Sequence, residues 1–341
     1  MKKTSVIAIN LKSVRIPILI FTFISVVYTC VILSASLPPR SLSSDSVRML
    51  LSSNIAFNPQ PLSSVGAYSL IRTEGKVSAE NRESGKSIEA EKISIPAATN
   101  IGAEVKVSNS TDFSINPNDY LNPTPSFLEE SFSVLIIHTH TTESYTPSEK
   151  YNYTPTDTDR TTDKNFNMVK VGDEIEKILV SQGIKVYHDT TMNDYPSYSG
   201  SYNKSAMSIE NYIKNDPSIK VVLDVHRDAI VGKDGKKVKY STEIDGKSAA
   251  KIMFVVGSNL SGLNHDSWEE NMRFASQLQK HTLSLYPTLC RPINFRSQRF
   301  NQQLAPGGVI VEVGTNGNTL DEAIYGARCF AIALADFINN R

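Results

Sequence analysis

Three short aliphatic runs and one shorter mixed stretch, each closing on a histidine or a carboxylate, limit what this chain can fold into. Val134-Leu135-Ile136-Ile137 leads into His138-Thr139-His140-Thr141-Thr142-Glu143. Val221-Val222-Leu223-Asp224-Val225 leads into His226-Arg227-Asp228, Ile184-Lys185-Val186-Tyr187 into His188-Asp189, and Val309-Ile310-Val311 into Glu312-Val313-Gly314. Short unbroken runs of large aliphatics fit strands buried on both faces, as in a parallel sheet with helices on each side. Polar groups at the carboxyl ends of such strands sit where open α/β sheets bind their ligands.

The segments between these runs fit that architecture. Residues 167–181 place Met168, Val171, Ile175, Ile178 and Leu179 on one helical face, and Gly183 stops the helix. Residues 205–214 and 267–285 read as further helices, and Ile252–Val256 as another strand. Asp234-Gly235, between Ile230-Val231 and Val238-Lys239-Tyr240, signals a hairpin. The last helix, about 320–338, opens with the capping box Thr319-Leu320-Asp321-Glu322. Strands alternating with helices predict an α/β domain over 129–341 with a largely parallel sheet flanked by helices.

The amino-terminal part reads differently. Residues 16–37 form an uncharged, apolar stretch, preceded by Lys2, Lys3, Lys12 and Arg15 and followed by no basic residue until Arg40. About twenty such residues span a bilayer core of ~30 Å. The positive-inside rule puts residues 1–15 in the cytosol and the rest outside, in a single-pass arrangement. The rival is a cleaved signal peptide, since Ser34-Ala35-Ser36 has the small-residue spacing of a cleavage site. Residues 38–128, rich in Ser, Asn, Pro and Glu, read as a mostly flexible stalk outside the membrane. With 35 basic and 35 acidic residues and no basic stripe, nothing points to nucleic acid. Cys290 and Cys329 read as free thiols rather than a pair, and His265 and His281 as exposed.

The strand ends predict a metal-dependent hydrolase. A catalytic zinc takes about three protein ligands and keeps one position open. His140, His188 and His226 supply three imidazoles, and Glu143, three residues past His140, competes with His188 for the third place. Imidazoles without a thiolate suit Zn2+. Glu312 at its strand end is the expected general base. His138, next to the ligands, is expected to orient the site or to bind substrate, and Arg227 to bind a substrate carboxylate or to form a surface pair. The acidic loop around Asp157, Asp159 and Asp163 lacks the glycine and final glutamate of a calcium loop and reads as solvated.

Several ordered segments also resemble the stage II sporulation protein P family of endospore-forming bacteria. They are Ile137-His-Thr-His-Thr-Thr-Glu-Ser-Tyr145, Arg160-Thr-Thr-Asp-Lys-Asn-Phe-Asn167, Val171-Gly172, Gly183-Ile-Lys-Val-Tyr-His-Asp189, Asp224-Val-His-Arg-Asp228, Phe300-Asn-Gln302 and Glu312-Val-Gly-Thr-Asn-Gly-Asn-Thr319. The resemblance covers about 125–341, and the apolar segment and stalk also look like the family. It implies a fold like that of zinc N-acetylmuramoyl-L-alanine amidases. It implies removal of stem peptides from peptidoglycan, alone or together with cleavage of peptide cross-links, during forespore engulfment. The implied partners are peptidoglycan, the membrane and the stage II sporulation proteins D and M. Related amidases hold zinc with two histidines and a glutamate, matching His140 and His226 here, with the catalytic glutamate matching Glu312. Two other readings keep the fold: a wall-binding scaffold with a decayed site, and a zinc hydrolase of another amide, such as a carbohydrate deacetylase.

Overall fold

The computed structural model describes residues 95–98, 104–155 and 158–340. The expected cytosolic tail, the apolar segment 16–37 and the stalk up to residue 94 lie outside the described residues. Among the described residues no helix is long and apolar enough to cross a membrane.

The strands are β1 (Val107–Asn109), β2 (Ser133–Ile137), β3 (Val186–His188), β4 (Ile219–Asp228), β5 (Ser241–Ile244), β6 (Lys247–Ala250), β7 (Ile252–Val256), β8 (Ile293–Phe295) and β9 (Gly307–Thr315). The helices are α1 (Met168–Ser181), α2 (Ser201–Asn215), α3 (Trp268–Leu285) and α4 (Leu320–Asn339). Seven strands form one sheet in the order β1-β8-β7-β9-β4-β2-β3, and β5 and β6 form a separate antiparallel pair. Within the large sheet only β7 against β9 is antiparallel; every other pairing is parallel. The largely parallel α/β sheet read from the sequence is therefore the observed architecture.

The alternation of side chains along each strand sorts the core into two faces. Val134 and Ile136 of β2, Val221, Leu223 and Val225 of β4, and Val309, Val311 and Val313 of β9 pack with Val171 and Ile175 of α1 and Phe330 of α4. Leu135, Ile137 and Val222 point the other way and pack with Ile209 of α2. Val134 to Ile137 are all fully buried. Each such side chain contributes roughly 1.5–3 kcal/mol relative to an exposed one. Asn167 caps α1 by accepting from the Val169 N–H, and the capping box of α4 forms as expected between Thr319 and Glu322.

Several expectations change. The segment read as the end of the stalk belongs to the folded body from Glu104 onward. β1 pairs with β8, and Tyr120, Phe127 and Leu128 are buried in the core. Its apolar residues are too sparse to show a period, yet they fill the gap beside Trp268 and Phe274. The expected hairpin at Asp234-Gly235 is reduced to a single bridge, Val231 to Lys237. His265 is buried, not exposed, and burial beside Arg299 pushes its imidazole down to about 4. His281 is half-buried and its Nε2 lies 2.8 Å from Asp336 Oδ2, tying α3 to α4. Cys290 and Cys329 are free, and burial pushes both thiols up to about 12.

Candidate active site

Parity along β4 and β9 places the first chemical groups. Asp224 and His226 alternate with the core residues Leu223 and Val225, so both face the α2 side. Glu312 is the register partner of His226 in the parallel pairing of β4 with β9, and faces the same side. The chain leaving β2 brings His140 over the same region. Its ring meets His226 edge-on, with centroids 5.1 Å apart, and stacks on Tyr198 at 4.5 Å. His140, Glu143, Tyr202, His226, Arg296 and Glu312 border one cleft of about 270 Å³. A larger cavity of about 610 Å³ lies by β5, β6 and α4, and no histidine lines it.

Asp224 organises this group. One carboxylate oxygen accepts from the Thr139 N–H at 2.8 Å and lies 2.9 Å from His226 Nε2; the other accepts from the Thr139 hydroxyl at 2.6 Å. This ties the β2 loop to β4 and fixes the His226 ring. Its other nitrogen, Nδ1, lies 3.5 Å from Glu143 Oε2. Burial alone would push His226 down, but Asp224 and Glu143 outweigh it and hold the imidazole well above its ordinary value. Glu143 is buried too, yet His226 and Arg227 draw its carboxyl down to about 2. Glu312 behaves in the opposite way. Burial, with Glu143 and Asp228 nearby, pushes its carboxyl up to about 8 against the pull of His226. Its Oε2 has no hydrogen-bond partner among the described residues. Two glutamates in one cleft are thus driven apart in proton affinity, a pattern of sites that move protons.

The site takes Glu143, not His188, as the group beside His140 and His226. His188 is the register partner of Ile136 in β3, at the sheet edge, and shares the face that Ile136 turns toward α1. A one-residue difference in parity puts a strand side chain on the opposite face of the sheet. There His188 Nε2 meets His138 Nε2 at 2.9 Å, while His188 Nδ1 faces Asp173 and Glu176 of α1. His138 shares that face; it is fully buried and its Nδ1 bonds the Val225 carbonyl at 2.9 Å. Arg227 borders the cleft, but its guanidinium is committed to main-chain carbonyls of Ser144, Asp159 and Asp228. It holds the loop that carries Glu143 instead of offering a free fork to a carboxylate.

Sequence reasoning missed Asp224, although its position two residues before His226 gives it the same face. It also missed Tyr198, whose hydroxyl lies 3.1 Å from His140 Nε2, and Arg160, which reaches Glu143 Oε1 at 3.6 Å and packs over the Tyr198 ring. No spacing in the sequence marks Tyr198, because it comes from an irregular loop before α2.

The donor chemistry suits a metal. The gap from His226 Nδ1 to Glu143 Oε2 is too long for a strong hydrogen bond. It is close to the ~3.3–3.4 Å edge of a tetrahedron with ~2.0–2.1 Å metal bonds. A carboxylate on the far nitrogen of a ligating histidine is the usual orienting partner, and Asp224 occupies that place. His140 must turn to join them, since Tyr198 and Ser201 face its two nitrogens at 3.1 and 3.4 Å.

Fold and site define an α/β protein with an imidazole–carboxylate centre at the carboxyl rim of a largely parallel sheet. The sequence model of the family described as stage II sporulation protein P (SpoIIP) matches residues 38–335, and the chain belongs to that family. It is 31% identical over 209 residues to stage II sporulation protein P of Bacillus subtilis (strain 168), covering 58% of this chain and 49% of that protein. The chain thus spans about half the length of the curated relative it matches. Among solved structures, the N-acetylmuramyl-L-alanine amidase Ami1 of Mycobacterium smegmatis is 13% identical with a TM-score of 0.36, over 62% of this chain and 98% of that one. The CwlD amidase of Clostridioides difficile, solved in complex with the GerS lipoprotein, is 13% identical with a TM-score of 0.35, over 61% and 96%.

Proposed function

We propose that this protein is a metal-dependent peptidoglycan hydrolase of sporulation that cuts the amide between the muramic lactyl group and L-alanine, releasing stem peptides. The observation that carries this reading is the pairing of Glu312 with His226. A half-buried carboxylate, whose shielded Oε2 has no hydrogen-bond partner among the described residues, faces the same cleft as two imidazoles and a second carboxylate. Family membership supplies the substrate class.

In this reading His140, Glu143 and His226 hold the metal, with zinc the best match to two imidazoles and one carboxylate. When bound there, zinc would supply Lewis acidity, polarising the scissile carbonyl and acidifying a water. Asp224 keeps the His226 ring in place. Glu312 takes the proton from the attacking water and returns it to the leaving amine. The positive field of a cation beside Glu312 favours its carboxylate form, which burial alone disfavours. The same centre serves the peptide bonds of cross-links if they enter the cleft. Residues 16–37 would tether the enzyme to the membrane, and stage II sporulation proteins D and M would be its partners in engulfment.

Purified cell wall tests the reading. The protein should release stem peptides, stop in a zinc chelator and recover on adding zinc. Full activity in chelator would overturn the metal mechanism. Mass analysis of the products separates peptide release from the acetate of a deacetylase.

A further inference from the structure

We propose that Asp173, Glu176 and His188 form a second divalent-cation site, on the face of the sheet opposite the cleft. Their ligand atoms all lie within 4.8 Å of one another. His188 Nδ1 is 3.3 Å from Glu176 Oε2 and 3.5 Å from Asp173 Oδ1. Both distances exceed the common range for N–H···O bonds, ~2.7–3.2 Å. Both sit near the ~3.3–3.4 Å edge of a tetrahedron with ~2.0–2.1 Å metal bonds.

The hydrogen bonds behind His188 point the same way. The Val225 carbonyl can only accept, so His138 Nδ1 carries the hydrogen of that 2.9 Å contact. His138 is fully buried, and its Nε2 lies 2.9 Å from His188 Nε2, so the two rings hold each other from behind. The His188 ring held this way turns its Nδ1 toward the carboxylates of Asp173 and Glu176. One imidazole nitrogen and two carboxylate oxygens in that arrangement make a donor set for a cation. A ligating histidine that donates its far N–H to a fixed acceptor is the common pattern of protein metal sites.

The site is built, not a chance meeting of surface acids. The His188 side chain is 3% exposed, whereas those of Asp173 and Glu176 are 47% and 39% exposed. The imidazole is thus anchored while the remaining coordination positions face water. Asp173 and Glu176 are three apart on α1 and share one helical face. Between them and the sheet, Gly172 leaves room for both rings. A Cβ there would lie 2.5 Å from His188 Nε2 and 2.7 Å from His138 Nε2. One imidazole with two carboxylates suits Zn2+ or Mn2+. A cation here clamps α1 to β3, the edge strand of the sheet. The segment after β3 carries Tyr198 to His140, so the clamp steadies one wall of the cleft from behind.

The site does not depend on the proposed reaction. The test uses full-length protein stripped by chelator, reloaded with Zn2+ alone and freed of excess metal before elemental analysis. Wild type should hold two zinc ions per chain. Asp173→Asn/Glu176→Gln should hold one, and so should His140→Ala/His226→Ala. The exposed acid-to-amide changes keep side-chain shape, so circular dichroism should be unchanged. Wild type holding one ion, lost in His140→Ala/His226→Ala and kept in Asp173→Asn/Glu176→Gln, would overturn the second site and leave the cleft metal standing. One ion with the opposite dependence would support this site and sink the cleft centre. Nitrogen-15 spectra of the zinc-loaded protein give an independent check. A His188 ring protonated on both nitrogens would refute the proposal.

Discussion

Two clusters of imidazole and carboxylate sit back to back on one sheet, separated by the thickness of β2 and β4. On the α2 face, His226 Nδ1 lies 3.5 Å from Glu143; on the α1 face, His188 Nδ1 lies 3.3 Å from Glu176. The donor sets are alike, but their surroundings are not. The first borders a cleft that also holds the half-buried Glu312, whose shielded Oε2 has no hydrogen-bond partner among the described residues. The second has half-exposed acids in front and a closed hydrogen-bond chain behind. Ligands alone make a binding site. A proton-accepting group held out of water beside them makes a place where a reaction can run.

That contrast is most exposed to failure at Glu312. Glu312→Gln removes the proposed base and leaves the proposed ligands in place. Turnover of cell wall should fall roughly 100- to 10,000-fold while zinc content is unchanged. Substantial turnover in this variant would place the base elsewhere and make the two clusters equivalent.

The next test separates the faces by metal retention. Glu143→Ala should lower zinc affinity in the cleft by more than the ~10–100-fold typical of losing an orienting partner. His188→Ala should leave the cleft zinc and the wall-digesting activity in place. Equilibrium dialysis against a chromophoric chelator reads both. An empty cleft in His188→Ala, with a loaded one in Glu143→Ala, would restore His188 as the third ligand.

A smaller effect distinguishes the two glutamates of the cleft in the metal-free protein. Glu312 titrates near 8 when folded against an ordinary 4.5, so between those values the native state holds the extra proton. Stability should therefore fall as pH rises through that window. Glu143, drawn down to about 2, contributes stability that is present above 4.5 and lost as pH falls toward 2. Urea midpoints across pH should show a shallower upper slope in Glu312→Gln and an unchanged lower one, since His226, also held above its ordinary value, keeps its own share of the upper slope in both proteins. An unchanged upper slope would mean that Glu312 is ionised in the cleft.

Much of this was legible in the sequence, and the failures share one cause. The strand runs, the caps of α1 and α4, and the placement of His140, His226 and Glu312 at strand ends follow from local pattern. His188 sits at a strand end as well, so its position along the strand reads correctly. Its face does not, because face depends on register with β2, and nothing local to residues 184–189 records that register. Arg227 failed for a related reason. Its neighbour His226 points to the cleft, so Arg227 points away, and its donors meet Ser144 and Asp159 from a loop far off in sequence. Alternation along β4 already contained that answer. The partners of Tyr198 and the inclusion of residues 104–128 rest on packing between distant segments, which no short pattern reports.

The weakest expected effect concerns readiness. The donors on the α1 face already stand at metal-bridging distances, whereas His140 is held by others. The Tyr198 hydroxyl lies 3.1 Å from its Nε2 and Ser201 Oγ lies 3.4 Å from its Nδ1. Metal binding has to displace one of them. Tyr198 is 59% exposed on an irregular loop, while Ser201 is 3% exposed at the start of α2, so Tyr198 gives way more easily. A hydrogen bond of this kind is worth a net ~0.5–1.5 kcal/mol, or about 2- to 10-fold in an equilibrium. Tyr198→Phe should therefore tighten zinc binding in the cleft by about that factor, keeping the stacked ring and losing only the hydroxyl. Binding on the α1 face should not change. Calorimetric titration of Tyr198→Phe and Ser201→Ala decides it. Tighter binding in Ser201→Ala alone would mean that His140 reaches the metal through Nδ1, with Tyr198 remaining in place as a wall of the cleft.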